Sequence, residues 1–307
     1  MSVFNEPHFT DENAARDWFE ALRWPEGPVC PHCGSLRSYR KAKPGVLRCG
    51  EKECRKDFTV TTKSVMESSH IPLHKWAQAF HLIASSKKGF SAHQLHRTLK
   101  ITYRSAWFMA HRLREAMRAG GLAPMGGSGK IVELDETFIG RQAGQPKRKG
   151  GWGHKNAVFA LVQRAGSVRT FHVDGITTAQ LGPIIRANIN RESGIMTDEG
   201  TWYREPGQEY ASHETVVHSR KEYVRYEGER TIHTNTVEGY FSIFKRGMKG
   251  VYQHCAEKHL HRYLAEYDFR YNTRTALGYN DTDRAALAAK GAAGKRLTYR
   301  LPHEARL

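Results

Sequence analysis

Asp135 in IVELDETF, Asp198 in GIMTDEG and Asn235 in HTNTVEGYFSIFK are the residues of this chain whose types and order could do chemistry, with Glu238 three positions after the asparagine. Each aspartate closes a short apolar run, and the pattern predicts a strand, a strand end and a helix for the three. Carboxylate and amide oxygens are hard donors that select Mg2+ or Mn2+. Two such ions roughly 3.5 to 4 Å apart can serve both sides of an in-line displacement at phosphorus. Two Asp and one Asn carry less negative charge than three carboxylates and should hold a second ion more weakly. Glu238, one helical turn on, could restore that charge directly or through water.

A second cluster asks for a different metal. Cys30, Cys33, Cys49 and Cys54 are spaced as C-x2-C and C-x4-C, with glycines beside each pair in CPHCGS and RCGEKEC. Soft thiolates in a pair-gap-pair arrangement select Zn2+, and such a cluster belongs to a reducing compartment. His32 lies between the first two ligands and should point away from the metal. Cys255 stands alone and reads as an ordinary core or surface thiol.

The 307 residues carry 48 Lys+Arg against 31 Asp+Glu, a formal net charge of +17, so the expected partner is a polyanion, DNA or RNA. No stretch approaches the apolar length of a spanning helix, and MSVFNEPHFTDENAARDW has no basic-then-apolar leader pattern. These features predict a cytoplasmic, nucleoid-associated protein without a membrane partner.

The elements that must position these residues follow in order. An N-terminal helix occupies residues 1–27, with Asp11 as its cap and Trp18, Phe19 and Leu22 on one face. A zinc ribbon over 28–62 ends in the strand KDFTVTT. Three helices fill 70–120, with breaks at Lys88-Gly89 and Lys100-Ile101. Leu95 and Leu99, then Ala106, Met109, Ala110, Leu113 and Met117, repeat at helical spacing. With Arg97, Lys100, Arg104, Arg112 and Arg114 exposed, the last two helices resemble a helix-turn-helix; a plain helical linker bundle is the alternative.

Beyond the Gly-rich linker LAPMGGSGK, residues 130–275 form an α/β domain. KIVELDETFIG, NAVFALVQR and VRTFHVDG read as three antiparallel strands, AQLGPIIRANIN as a helix, and GIMTDEG as a short buried strand. Three strands, a helix, a strand and later helices give the order of a ribonuclease H-like domain. At about 100° per residue from Asn235, Val237, Tyr240, Phe241, Phe244 and Met248 share one sector of the late helix. Asn235, Glu238, Ser242, Lys245, Arg246 and Lys249 share the opposite one. The helix HLHRYLAEYDFRYNTR presents Leu260, Tyr263, Leu264, Tyr267 and Tyr271 to the core. Residues 276–307 read as a loosely ordered basic tail.

Neighbouring polar residues have plainer readings. Glu136 and Glu199 should point to the opposite faces of their strands from the aspartates. Asp174 reads as a turn residue, and His213, His218 and His233 fall in a loop-rich stretch. Between Thr137 and Val173 there are cations but no acid. Lys147, Arg148, Lys149 and Lys155 surround Gly-Trp-Gly-His, a mobile loop whose charges could meet phosphates and whose Trp152 could stack on a base.

The chain resembles zinc-ribbon insertion-sequence transposases of the ISXO type, within the DDE transposase and integrase superfamily. The resemblance runs from about Arg23 to Arg274: RWPEGPVCPHCGS, RKDFTV, HKW with SSKKGFSAHQLHR, VELDETFIG, MTDEG, HTNTVEGYFSIFKRGMKGVYQH and HLHRYLAEYDFRYNTR. It implies a transposase that binds the double-stranded DNA ends of its element, as a homo-oligomer when DNA-bound, and joins them to target DNA. Water would first free a 3'-hydroxyl, which would then attack the target. The implied catalytic set is Asp135, Asp198 and Asn235, with Glu238 close by and Lys245 as basic partner. Asn235 is expected as the direct third ligand through its amide oxygen. Glu238 is the rival, since Lys245 stands seven residues beyond Glu238, the superfamily's usual spacing, and ten beyond Asn235. Two other readings stay open: a zinc-ribbon DNA-binding regulator with an inactive catalytic fold, and a ribonuclease H-like nuclease that cuts without joining.

Overall fold

The computed structural model describes residues 3–146, 148–228 and 230–298. They form two compact units, one holding the chain up to Arg118 together with the segment after Gly278, the other spanning Ala119–Gly278.

In the first unit, α1 (Glu12–Arg23) starts at Asp11, whose carboxylate accepts the Ala14 amide at 2.8 Å. The ribbon is a three-stranded antiparallel sheet of β1 (Ser38–Arg40), β2 (Leu47–Cys49) and β3 (Asp57–Phe58), in that order. Helices α2 (Leu73–Ser85), α3 (Ala92–Leu99) and α4 (Tyr103–Met117) follow. Ser91 and Gln94 form a reciprocal capping box on α3, and Thr102 caps α4. The turn between them passes through Lys100, held left-handed at φ 50°. Leu95, Leu99, Ala106, Met109, Ala110, Leu113 and Met117 are all buried, as their spacing predicts.

Two expectations change here. Arg112 and Arg114 are buried rather than exposed: α4 packs on α2, α3 and a further helix late in the chain, and its residues from Met109 to Met117 are all buried. The Arg112 guanidinium lies 4.5 Å from the centre of the Phe108 ring. The segment read as a basic tail carries that helix, α9 in chain order (Asp281–Lys290). Asn280 and Asp283 form its capping box, and Ala285, Ala288 and Ala289 are buried where it packs on α2. Alanine is the strongest helix former, and its small side chain allows close approach. Composition alone misread this segment.

The second unit is a five-stranded sheet with helices on both faces. Its strands are β4 (Ile131–Ile139), β5 (Asn156–Gln163), β6 (Val168–Val173), β7 (Gly194–Thr197) and β8 (Ser212–Thr215), in the order β6-β5-β4-β7-β8. The first three pair antiparallel, while β4, β7 and β8 run parallel. This is the ribonuclease H-like order. Along β5 the side chains alternate between two cores. Ala157, Phe159 and Leu161 meet Leu181 and Ile185 of α5 (Thr178–Asn188). Val158, Ala160 and Val162 meet α7 (Asn235–Gly247) and α8 (Leu260–Asn272). Asp268 of α8 accepts from the Thr170 amide and hydroxyl and from the Tyr240 hydroxyl, at 2.8 to 2.9 Å, tying α8 to β6 and α7. The stretch read as loop-rich holds the short helix α6 (Arg204–Gly207), β8, and a hairpin of β9 (Val224–Glu227) and β10 (Arg230–His233) that leads into α7. Among the described residues, no helix is long and apolar enough to cross a membrane.

Candidate active site

Strand register places the two aspartates side by side. The last parallel pair of β4 and β7 is Glu133 with Met196, so two residues further on Asp135 stands beside Asp198, just past the end of β7. One carboxylate oxygen from each of Asp135, Glu136 and Asp198 lies within 4.8 Å of the others. Glu136 was expected to face away. Its strand face is indeed that of Val132 and Leu134, where the Tyr203 hydroxyl donates to it at 2.5 Å. However, β7 has ended at this level, so the longer side chain reaches the gap from the other side of β4. Glu199 stays apart, accepting the backbone amides of His218 and Ser219.

Burial pushes the Asp135 carboxyl well above the usual range, and the charges of Glu136, Asp198 and Glu238 add to the effect. Asp198 is raised by burial first, with Glu199 and Glu238 contributing. Glu136 is pushed up to about 7 by burial, with Asp198 adding. The donors present, the Glu136 amide on Asp135, the Gly200 amide on Asp198 and the Tyr203 hydroxyl on Glu136, do not offset this. Negative charge is crowded at the cluster, and its donor atoms are all hard oxygens. Both properties fit Mg2+ or Mn2+.

Helix α7 faces the same point. Asn235 is its first residue and is exposed, its backbone amide donating to His233 Nδ1 at 3.2 Å. Glu238 is the residue whose charge both aspartates feel; its carboxylate also accepts from the Thr234 hydroxyl at 2.9 Å and lies 3.5 Å from His218 Nε2. Lys245, two turns beyond Glu238 on the same stripe, is lowered by burial, with Asp135 opposing and Lys249 and Lys155 reinforcing that shift. Lys245 thus feels the charge of Asp135, and Lys155 lies near enough to Lys245 to oppose its charge.

Of the other basic residues, Arg148 and Lys149 are exposed, and Lys147 lies outside the described residues. Trp152 is 58% exposed and stacks on Phe138 with centroids 5.0 Å apart. Its loop, read as mobile, is tied by the Gln142 amide to the His154 carbonyl and by the Ala143 amide to Glu257. In the first unit Arg97, Lys100 and Arg104 are exposed around the α3–α4 turn.

Cys30, Cys33, Cys49 and Cys54 form the second cluster. Sγ–Sγ separations are 3.8 Å for Cys30–Cys54 and 3.5 Å for Cys33–Cys49. Four sulfurs about 2.3 Å from one zinc would be about 3.8 Å apart at tetrahedral angles, so the cluster has the right size. Cys30 falls to about 7 because backbone hydrogen bonds from His32 and Cys33 overcome burial. Cys49 is pushed up to about 12, since burial and its thiol neighbours outweigh the backbone hydrogen bond at Glu51. Four crowded thiols cannot all ionise unaided; a zinc ion would make that possible.

Two family profiles match this chain. Residues 10–57 match the transposase zinc-ribbon domain, and residues 126–272 match the ISXO2-like transposase domain. Residues 126–272 belong to the ISXO2-like transposase domain family, and residues 10–57 are a transposase zinc ribbon. An uncharacterized protein in transposable element ISH50 of Halobacterium salinarum is 26% identical over 257 residues, 78% of this chain and 83% of that relative. A chain from the simian T-cell lymphotropic virus intasome in complex with PP2A regulatory subunit B56 gamma aligns over 57% of this chain and 67% of its own at 17% identity. Its TM-score of 0.28 carries no weight beside the strand order above. The zinc-ribbon match takes in α1, which the cysteine spacing alone left outside the ribbon.

Proposed function

We propose that this protein is a transposase that binds the double-stranded DNA ends of its element, cuts them in a divalent-metal-dependent reaction and joins them to target DNA. The observation carrying this reading is the cluster of Asp135, Glu136 and Asp198 at the open end of β7, one carboxylate oxygen of each within 4.8 Å of the others, with the charges of Glu238 and Lys245 close enough to act on Asp135. Asp135, Asp198 and Glu238 would hold the metal. Glu238 takes the third place over Asn235 in this proposal, because a carboxylate is the stronger hard donor for Mg2+ and Lys245 stands seven residues beyond Glu238. Mg2+, when bound, supplies activation of the attacking oxygen and stabilisation of the leaving one. Lys245 holds its ammonium where a scissile phosphate would lie. Arg148, Lys149 and Lys155 offer further phosphate contacts, and Trp152 a stacking surface. Arg97, Lys100 and Arg104 around the helix-turn-helix-like turn would meet end DNA in the other unit. In the first step water bonds to phosphorus, the P–O3' bond breaks and a 3'-hydroxyl is freed. In the second that hydroxyl attacks target phosphorus and displaces a 3'-oxygen there. The test is incubation of the protein with labelled element ends, target plasmid and Mg2+. Joined products are expected; cleaved ends without joining would make it a nuclease, and binding without cleavage a regulator.

Zinc is the second proposal. The purified protein should carry about one Zn2+ per chain, measured by inductively coupled plasma mass spectrometry, and Cys33→Ser should reduce that to background. Full zinc content in the variant would remove Cys33 from the ligand set.

The raised carboxyls also set a pH dependence. Between ordinary carboxylate values and about 7 for Glu136, the metal-free folded protein holds protons that the unfolded chain has released. This site's contribution to stability therefore falls as pH rises through that window. A divalent cation supplies the missing charge and competes with those protons. Mn2+ a hundredfold above its Kd should raise Tm by about 5–10 °C at pH 8, and far less at pH 5. Equal shifts at both pH values in a thermal melt would locate the binding elsewhere.

A further inference from the structure

Glu133 lies two residues before Asp135 on the same face of β4 and is fully buried. Its carboxylate accepts from Arg164 Nε at 2.6 Å, the Thr236 hydroxyl and amide at 2.8 Å each, and the Val237 amide at 3.0 Å. His233 Nδ1 lies 3.3 Å away. Thr236 and Val237 are the second and third residues of α7, and their amides are among those a helix leaves without an internal partner. The residue preceding a helix ordinarily satisfies one of them. Here Thr234 makes no capping bond, and its hydroxyl goes to Glu238 instead. Arg164, just past the end of β5, also donates to the carbonyls of Thr231 and His233 at 2.8 and 2.9 Å. One buried carboxylate and one guanidinium thus join β4, β5, β10 and the start of α7.

We propose that Glu133 is a positioning residue for the metal site: by capping α7 from β4, it sets Glu238 and Lys245 against Asp135. This rests on the Asp135, Asp198 and Glu238 site proposed above. A cap from the preceding residue would fix the helix only to its own loop. A cap from β4 fixes it to the strand that carries Asp135, about 7 Å along the backbone. Buried ion pairs add little net stability compared with apolar residues of equal volume, whereas directed bonds to two helix amides determine where the helix starts. The negative carboxylate also complements the positive end of the helix dipole.

The test is Mn2+ affinity, read by electron paramagnetic resonance titration of the full chain, alongside Tm. Glu133→Gln should weaken Mn2+ binding about 10- to 100-fold, the usual scale when a group that orients metal ligands is removed. Thr236→Val removes one bond to Glu133 without changing any charge. It should weaken binding several-fold, a loss that long-range Coulomb effects cannot explain. Leu181→Ala, a core truncation on the opposite face of the sheet, should lower Tm and leave Mn2+ affinity within about twofold of wild type. Wild-type affinity in Glu133→Gln, or an equal loss in Leu181→Ala, would overturn the proposal. If Glu133→Gln does not fold, unchanged affinity in Thr236→Val would do so. A wild-type protein that binds no Mn2+ would instead refute the acidic site itself.

Discussion

Asp135→Asn and Asp198→Asn should each abolish DNA cleavage and leave binding to element ends intact or slightly tighter. The two residues share one location by strand register, so their losses should match in size. Removing a group from a preorganised charged site costs on the order of a hundred- to a thousandfold in rate, and these two would hold the same metal. Cleavage of labelled ends in Mg2+ and binding by gel shift in EDTA separate the two effects. Each substitution removes a negative charge, which can only ease the approach of phosphate. A variant that cleaves at the wild-type rate would show that the metal is held elsewhere.

The next largest effect is expected at Glu238. Glu238→Gln keeps the size of the side chain and its bond from Thr234 but removes the charge that both aspartates feel. Cleavage should fall nearly as far as for the aspartates. Asn235→Ala should be milder, within about tenfold, since a neutral amide holds a divalent cation less strongly than a carboxylate; the two residues are both exposed and lie about 60° apart around the helix. The same cleavage assay ranks them. The reverse order, Asn235→Ala inactive and Glu238→Gln active, would return the third place to the amide.

Much of this layout was legible in the sequence because apolar spacing carries it. The alternation in IVELDETF, the short run GIMT and the apolar stripe Val237, Tyr240, Phe241 and Phe244 identify two strands and a helix, and their order implies the sheet. The cysteine spacing likewise anticipated a cluster of zinc-ribbon size. Glu133 and Glu136 were not legible as part of the site. Strand periodicity assigns a side chain to a face, but only the level at which β7 stops shows that Glu136 reaches around β4. Glu133 did leave a signal, since a charged residue at a buried strand position demands partners. Those partners, Arg164, Thr236 and Val237, are distant in sequence. The α9 segment failed for a different reason: an Ala-rich stretch looks featureless until α2 supplies a surface for it.

The most direct measurement is the anomalous scattering of Mn2+ in crystals of the protein bound to its element end. Manganese should lie between the carboxylates of Asp135 and Asp198, with Glu238 as the third protein ligand and Lys245 against the scissile phosphate. Manganese absent from Asp135 and Asp198, or a phosphate bound away from them, would contradict the assignment of this site to DNA cleavage.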